Sequence, residues 1–130
     1  MIVDSSAIMA IVLDEPDRGA FVDRLARSSV RRVSAGTWIE LSAVLTRRRD
    51  PVADAAFAVI VQEVTLTIEP VTAAQAQIGW DAYRAFGRGT GHPAGLNFGD
   101  CFAYALAKAT GEPLLFKGDD FARTDLVATA

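Results

Sequence analysis

Sixteen acidic residues are spread through this 130-residue chain, and four acidic places stand out by position. Asp4 ends the apolar opening MIVD. Glu40 lies early in the helical stretch Thr37–Arg48. Asp100 opens an alanine-rich helix after a glycine-rich stretch, and Asp119 and Asp120 follow the apolar run PLLF. In an open parallel α/β sheet, ligands bind beyond the carboxyl ends of the strands. Asp4, Glu40 and the Asp119–Asp120 pair all fall just past such ends, and Asp100 joins them if its helix starts on the same edge. Carboxylates converging there would repel one another. One or two hard divalent cations, Mg²⁺ or Mn²⁺, resolve that repulsion with oxygen ligands. The sole histidine, His92, lies in a loop, so Ser5 and Ser6 have no nucleophile–histidine pair. A carboxylate site of this kind points to metal-assisted hydrolysis of a phosphodiester.

The elements that must position these acids alternate. Residues 1–4 read as a short buried strand, and Ser5 or Ser6 as the cap of a helix through Ile8–Leu13, stopped before Pro16. Asp17–Ala26 has helical spacing, Arg32–Ala35 reads as a strand, and Thr37–Arg48 as a helix with Ile39, Leu41, Val44 and Leu45 inward. Pro51–Glu63 is helical with Pro51 at its start. Thr65–Ile68 alternates like a strand, and Thr72–Phe86 is a helix with Trp80, Tyr83 and Phe86 on its buried side. Residues 87–97 hold four glycines and a proline and read as a flexible loop. Phe98–Ala109 is a helix, Pro113–Phe116 a strand, and Asp125–Ala130 a candidate last strand. Short apolar strands alternating with helices give an α/β class. The expected architecture is a three-layer α/β/α domain over residues 1–130 with a mostly parallel central sheet.

Bulk properties narrow the field. The length suits one domain with a real core. A single cysteine, Cys101, excludes an internal disulfide and suits a reducing cytoplasm. Thiols bury well and no basic neighbour activates this one, so it reads as core. The N-terminus lacks a basic leader, and no apolar run reaches the ~20 residues of a membrane span. The net charge of −3 argues mildly against nucleic acid as a partner. That objection weakens if the acids cluster around bound cations.

Structural readings stand beside the chemical ones. Thr37-x-x-Glu40 matches a capping box. Asn97-Phe-Gly-Asp100 is a cap followed by a first-turn acid. The Asp119–Asp120 pair after Gly118 makes a plain turn. Asp4 is harder to explain away, because an acid in an apolar strand is costly to bury alone. A first-turn carboxylate can cap a helix and bind metal at once.

The segments MIVDSSA, WIELSAVL and LNFGDCFAYALAKATGEPLLFKGDDFARTDL, in this order in so short a chain, resemble PIN-domain ribonucleases, VapC toxins in particular. The likeness runs from Met1 to about Leu126. It implies the toxin of a type II toxin–antitoxin pair, a Mg²⁺-dependent cytoplasmic endoribonuclease (Mn²⁺ may substitute) that cuts single-stranded or loop RNA, whether tRNA, rRNA or mRNA, and inhibits translation. The alternative is a catalytically weak PIN-like module that binds RNA or antitoxin. A metal phosphatase of another α/β family would want a second aspartate at position 6, which is Ser. By motif, the metal-holding acids are Asp4, Glu40 and Asp100. Ser6 would orient Asp4, and Thr37 would do the same near Glu40. The fourth acid is open among Asp119, Asp120 and Asp125, the first two nearly equal.

Within that resemblance, Arg84, Arg88, His92 and Lys117 flank the glycine loop and the acidic edge and could hold RNA phosphates. The run Arg47–Arg49 reads better as a solvated helix end. Of the aromatics Tyr83, Phe86 and Phe98, core packing is the better reading for Phe86 and Phe98. The resemblance further implies a cognate antitoxin, a homodimer, and a heterotetramer or larger with antitoxin. Outward apolar residues Ile11, Leu25, Val44 and Ala55 mark the helices expected to form the partner groove.

Overall fold

The computed structural model describes residues 1–126, and the order of elements is that of alternating strands and helices. Strand β1 (Ile2–Val3) leads into α1 (Ser5–Val12) and α2 (Arg18–Arg27). Strand β2 (Arg32–Ser34) leads into α3 (Ala35–Arg48) and α4 (Pro51–Glu63). Strand β3 (Thr67–Glu69) is followed by α5 (Ala73–Phe86) and α6 (Asp100–Thr110), then β4 (Leu114–Leu115). A short 3₁₀ turn spans Phe121–Arg123. Of the strand expected over the C-terminal tail, residues 127–130 lie outside the described residues.

All pairings are parallel, in the order β3-β2-β1-β4. Successive strand residues face opposite sides of a sheet. Val3 and Leu115 accordingly join a core with α1 to α4, while Ile2 and Leu114 join one with α5 and α6. The result is the three-layer α/β/α architecture. The chain builds outward from β1 through β2 to β3, then returns to place β4 on the other flank of β1. That reversal opens a crevice beyond the carboxyl ends of β1 and β4, the usual ligand position of such sheets.

Several boundaries and faces differ from expectation, for local reasons. Helix α1 is capped by Asp4, which accepts from the Ser6 amide, and not by either serine. Helix α3 begins at Ala35 under a Ser34 cap, so Thr37 and Glu40 form no capping box. Ile39, Trp80, Tyr83 and Phe98 are exposed, whereas Ile11 and Leu25 belong to the core. Val44 is half-buried and Ala55 exposed. In α5 the buried positions are Gln75 and Ala82; Phe86 packs against the core as expected, while Trp80 and Tyr83 face out.

The glycine-rich segment is pinned at both ends and is not a free loop. Gly87 bridges Leu96, the Arg88 amide donates to the Leu96 carbonyl at 2.8 Å, and the Leu96 amide donates to Phe86 at 2.9 Å. Ala94 and Leu96 are buried, so apolar anchors outweigh the freedom of the glycines.

Candidate active site

Asp4 leaves β1 in extended conformation, so its side chain turns down into the crevice just as α1 begins. Only 2 % of it is exposed. One oxygen, Oδ2, accepts from the Ser6 amide at 3.0 Å and from the Ser6 hydroxyl at 2.6 Å. The other, Oδ1, is buried with no hydrogen-bond partner. Burial pushes this carboxyl above its ordinary pKa; the Ser6 contacts oppose that and the nearby Glu40 charge adds to it. Ser6 does a second job. Its hydroxyl accepts the Lys117 amide at 3.0 Å, tying the start of α1 to the segment after β4.

Asp100 arrives on the same edge because α6 runs back into β4 and must start above the strand ends. Its amide donates to Asn97 Oδ1 at 2.8 Å, and its Oδ2 accepts from the Asn97 amide at 3.0 Å, a reciprocal capping box. Desolvation by burial pushes its pKa up to about 7, against the Asn97 contact, with help from Asp4, Asp120 and Glu40. The capping motif was therefore legible, but the acid it holds also carries the field of three others.

Glu40 stands in the second turn of α3, where the Ser5 hydroxyl donates to its Oε1 at 2.9 Å. Its carboxylate rests on the backbone of Gly99, and any side chain at position 99 would occupy the same space. Thr37 is fully buried but its hydroxyl has no partner, so the expected contact with Glu40 is not made.

These acids share one open cleft of about 400 Å³, lined by Asp4, Glu40, Asp100 and Asp120 together with Arg47 and Lys117. The three candidates for a fourth acid lie in different places. Asp120 lines the cleft, Asp119 does not, and Asp125 is engaged elsewhere with Tyr104 and Lys108. Of the expected basic residues only Lys117 lines this cleft, and its ammonium is paired with Glu15 and Asp17. Arg84 lies over the Trp80 ring at 4.6 Å, His92 packs edge-on to Phe86 while its Nδ1 accepts from Ala94, and Arg88 lies at the glycine segment. None of these three lines the acidic cleft. Arg47, exposed in the last turn of α3 as expected of a solvated helix end, also lines the cleft. Glu40, Val44 and Arg47 follow at i, i+4 and i+7, one helix face, and that spacing was the available signal.

Cys101 sits half-buried with its thiol against the Asn97 carbonyl at 3.5 Å. Burial, then Asp100, push it up to about 11, so it is a protonated thiol at neutral pH and no nucleophile.

The chain is similar to known proteins over nearly its whole length. Ribonuclease VapC28 of Mycobacterium tuberculosis is 53 % identical over 124 residues, covering 95 % of this chain and 93 % of that protein. The crystal structure of VapC20 of Mycobacterium tuberculosis, described as a sarcin–ricin loop cleaving toxin, superposes with a TM-score of 0.74 at 23 % identity, over 98 % of this chain and 97 % of that one. A chain of a toxin–antitoxin complex from Klebsiella pneumoniae gives a TM-score of 0.70 at 15 % identity, over 98 % and 95 %. The model of the PIN domain matches residues 1–127. With that match across nearly its whole length, and with VapC ribonucleases as its close relatives, the chain belongs to the PIN domain family.

Proposed function

We propose that this protein is the toxin of a toxin–antitoxin pair and acts as an endoribonuclease, hydrolysing RNA phosphodiester bonds with Mg²⁺ or Mn²⁺ and so inhibiting translation. The observation that carries the reading is the set of Asp4, Glu40, Asp100 and Asp120 around one cleft, none of them in an ion pair among the described residues. Relatives named as ribonucleases support the reaction class. The structural likeness to a chain of a toxin–antitoxin complex supports an antitoxin partner; a homodimer, and a larger assembly with antitoxin, complete the proposal. No helix among the described residues is long and apolar enough to cross a membrane; a cytoplasmic site of action is part of the proposal.

As the side chains lie, no three donors among the described residues converge on a single point. The donor set nonetheless fits a hard divalent cation. All four are carboxylates, and the buried Asp4 Oδ1 lacks any partner. Asp4, Asp100 and Glu40 would hold the ion, with Asp120 at the rim. When bound, a divalent cation there would acidify a water and neutralise charge on the phosphate. The chain's own part is placement. Ser6 fixes Asp4 with its free oxygen inward, Ser5 and Gly99 fix Glu40, and Asn97 fixes Asp100.

Purified protein incubated with total cellular RNA, without antitoxin, tests the reading. Discrete cleavage with Mg²⁺, lost in EDTA and lost in Asp4→Asn, is the expected result. Absence of cleavage with Mg²⁺, or equal cleavage by wild type and Asp4→Asn, would overturn it.

A further inference from the structure

The acidic cleft does not end at Glu40 and Arg47. Both residues also line a second groove, about 410 Å³, whose other walls are Gly36, Ile39, Ala43, Phe98 and Phe102. This groove is mainly apolar and adjoins the acidic one, the two sharing Glu40 and Arg47 as walls. Phe98 is 76 % exposed, unusual for the largest apolar side chains, yet it is not loose. Its ring packs edge-on against Phe102 at 5.1 Å. Phe102 in turn lies on Gly36, where no side chain could fit beside it. Phe98 is also the neighbour of Gly99, on which the Glu40 carboxylate rests.

Arg47 stands on the ridge between the two grooves, about 10 Å along α3 from Glu40. Lys117, the other cation of the cleft, is held by Glu15 and Asp17, whereas Arg47 takes part in no ion pair among the described residues. An unpaired guanidinium and a fixed, exposed aromatic ring lining one groove form the combination by which single-stranded nucleic acids are held, the cation on phosphate and the ring under a base.

Resting on the ribonuclease reading above, we propose that this second groove is a nucleotide subsite, in which Arg47 holds a phosphate next to the scissile one and Phe98 stacks on the adjoining base. The occupant is one unpaired nucleotide of the RNA substrate. A paired base presents its face to its neighbours in the helix, so the subsite gives a physical basis for the single-stranded or loop substrate that the family resemblance implies. Stacking accepts any base, so it favours an unpaired structure over a particular sequence.

The test is steady-state cleavage of a short single-stranded RNA with Mg²⁺, by wild type, Arg47→Ala, Arg47→Lys, Phe98→Leu and Phe98→Tyr. Each position around the cut is replaced in turn by an abasic nucleotide. Light scattering and thermal melting are run on every variant. Arg47→Ala should raise KM about tenfold and lower the salt slope of kcat/KM by about one, with Arg47→Lys between it and wild type. Phe98→Leu should raise KM at least about fivefold, and Phe98→Tyr should restore it. The Phe98→Leu penalty should vanish on one abasic substrate and persist on the rest. Variants with wild-type KM and salt slope, or a Phe98→Leu penalty unchanged on every abasic substrate, would overturn the subsite and leave the ribonuclease standing. A change of oligomeric state in Phe98→Leu would overturn it too, assigning the ring to a contact between copies. A wild type that cleaves nothing would remove the ribonuclease and the subsite together.

Discussion

At the amino end of the strands, Glu112 lies 2.8 Å from the Met1 ammonium and 3.0 Å from Arg32 Nε, and Arg32 also reaches along the sheet to Glu69, the last residue of β3, at 2.7 Å. At the carboxyl end, Asp4, Glu40, Asp100 and Asp120 face one cleft and enter no such pair among the described residues. The same residue class therefore meets opposite surroundings some strand-lengths apart. Partial burial pushes Glu112 up, but the N-terminal ammonium and Arg32 outweigh it and hold the carboxyl below its ordinary pKa. Burial also pushes up Asp4 and Asp100, and there the neighbouring charges are negative and add to it. A chain that supplies its own counter-charges at one edge and withholds them at the other leaves the second edge to a counter-charge from outside. That is the physical content of the metal and RNA reading.

The comparison breaks most visibly if the unpaired acids are removed. Asp100→Asn keeps the capping hydrogen bonds with Asn97, since an amide oxygen still accepts. Cleavage should nevertheless fall by about a hundredfold or more, because a lost ligand costs at least what a lost second-sphere contact does. A cleavage time course with Mg²⁺ checks it, and wild-type rates in Asp100→Asn would reduce this acid to a helix cap.

Ser6→Ala should come next. Its hydroxyl serves Asp4 and the Lys117 amide together, so the variant frees an active-site carboxylate and strands a backbone donor. Activity should drop about 10- to 100-fold, and stability by about 1–3 kcal/mol. Urea unfolding beside the cleavage assay separates the two effects. An activity loss fully explained by unfolding would leave Ser6 as a structural clasp alone.

The third effect is on melting without metal. In EDTA, the folded protein binds a proton on Asp100 up to a pH of about 7, whereas the unfolded chain releases it near 3.8. Between those values the folded state holds more protons, so this contribution to stability is present at low pH and is lost as pH rises through 7. Asp4, shifted the same way, adds to the slope. Melting temperature should therefore fall from pH 5 to 8 in wild type and fall less steeply in Asp100→Asn. Parallel curves for the two proteins would mean that Asp100 is not destabilised by its neighbours.

The strands and most helices were legible because their apolar periods and caps are local. Asp50 before Pro51 and Thr72 before α5 cap where chain chemistry alone would put them. The grouping of Asp4, Glu40 and Asp100 was legible too, since each is tied to a strand end or helix start. What escaped depended on tertiary geometry. Choosing Asp120 over Asp119 requires knowing how the turn after β4 lies against α1. Thr37 looked like a cap because it precedes Glu40 by three, but Ser34 wins the helix start one turn earlier. Phe98 looked like core because aromatic rings usually are, while the capping box at Asn97 turns it outward. Trp80 and Tyr83 show the same limit, because an outward apolar helix face has the same period as an inward one.

The smallest effect is expected at the paired edge. Glu112→Gln removes the charge facing the Met1 ammonium and Arg32 while keeping a side-chain oxygen for hydrogen bonding. The carboxyl is partly exposed, so screening keeps the cost to about 1 kcal/mol or less. Its sign is fixed by the depressed pKa. The contribution is present above the ordinary carboxylate range and is lost as pH falls through the lowered value, opposite to that of Asp100. The variant should thus unfold at slightly lower urea than wild type at pH 7, with the gap closing as the solution is made acidic. Salt should narrow the gap as well, since the pair is reachable by ions. Cleavage should be unchanged, because nothing at this edge faces the acidic cleft. If Glu112→Gln instead lowered cleavage as Ser6→Ala does, the two ends of the sheet would be coupled, and the division between a self-neutralised edge and a ligand-seeking one would not hold.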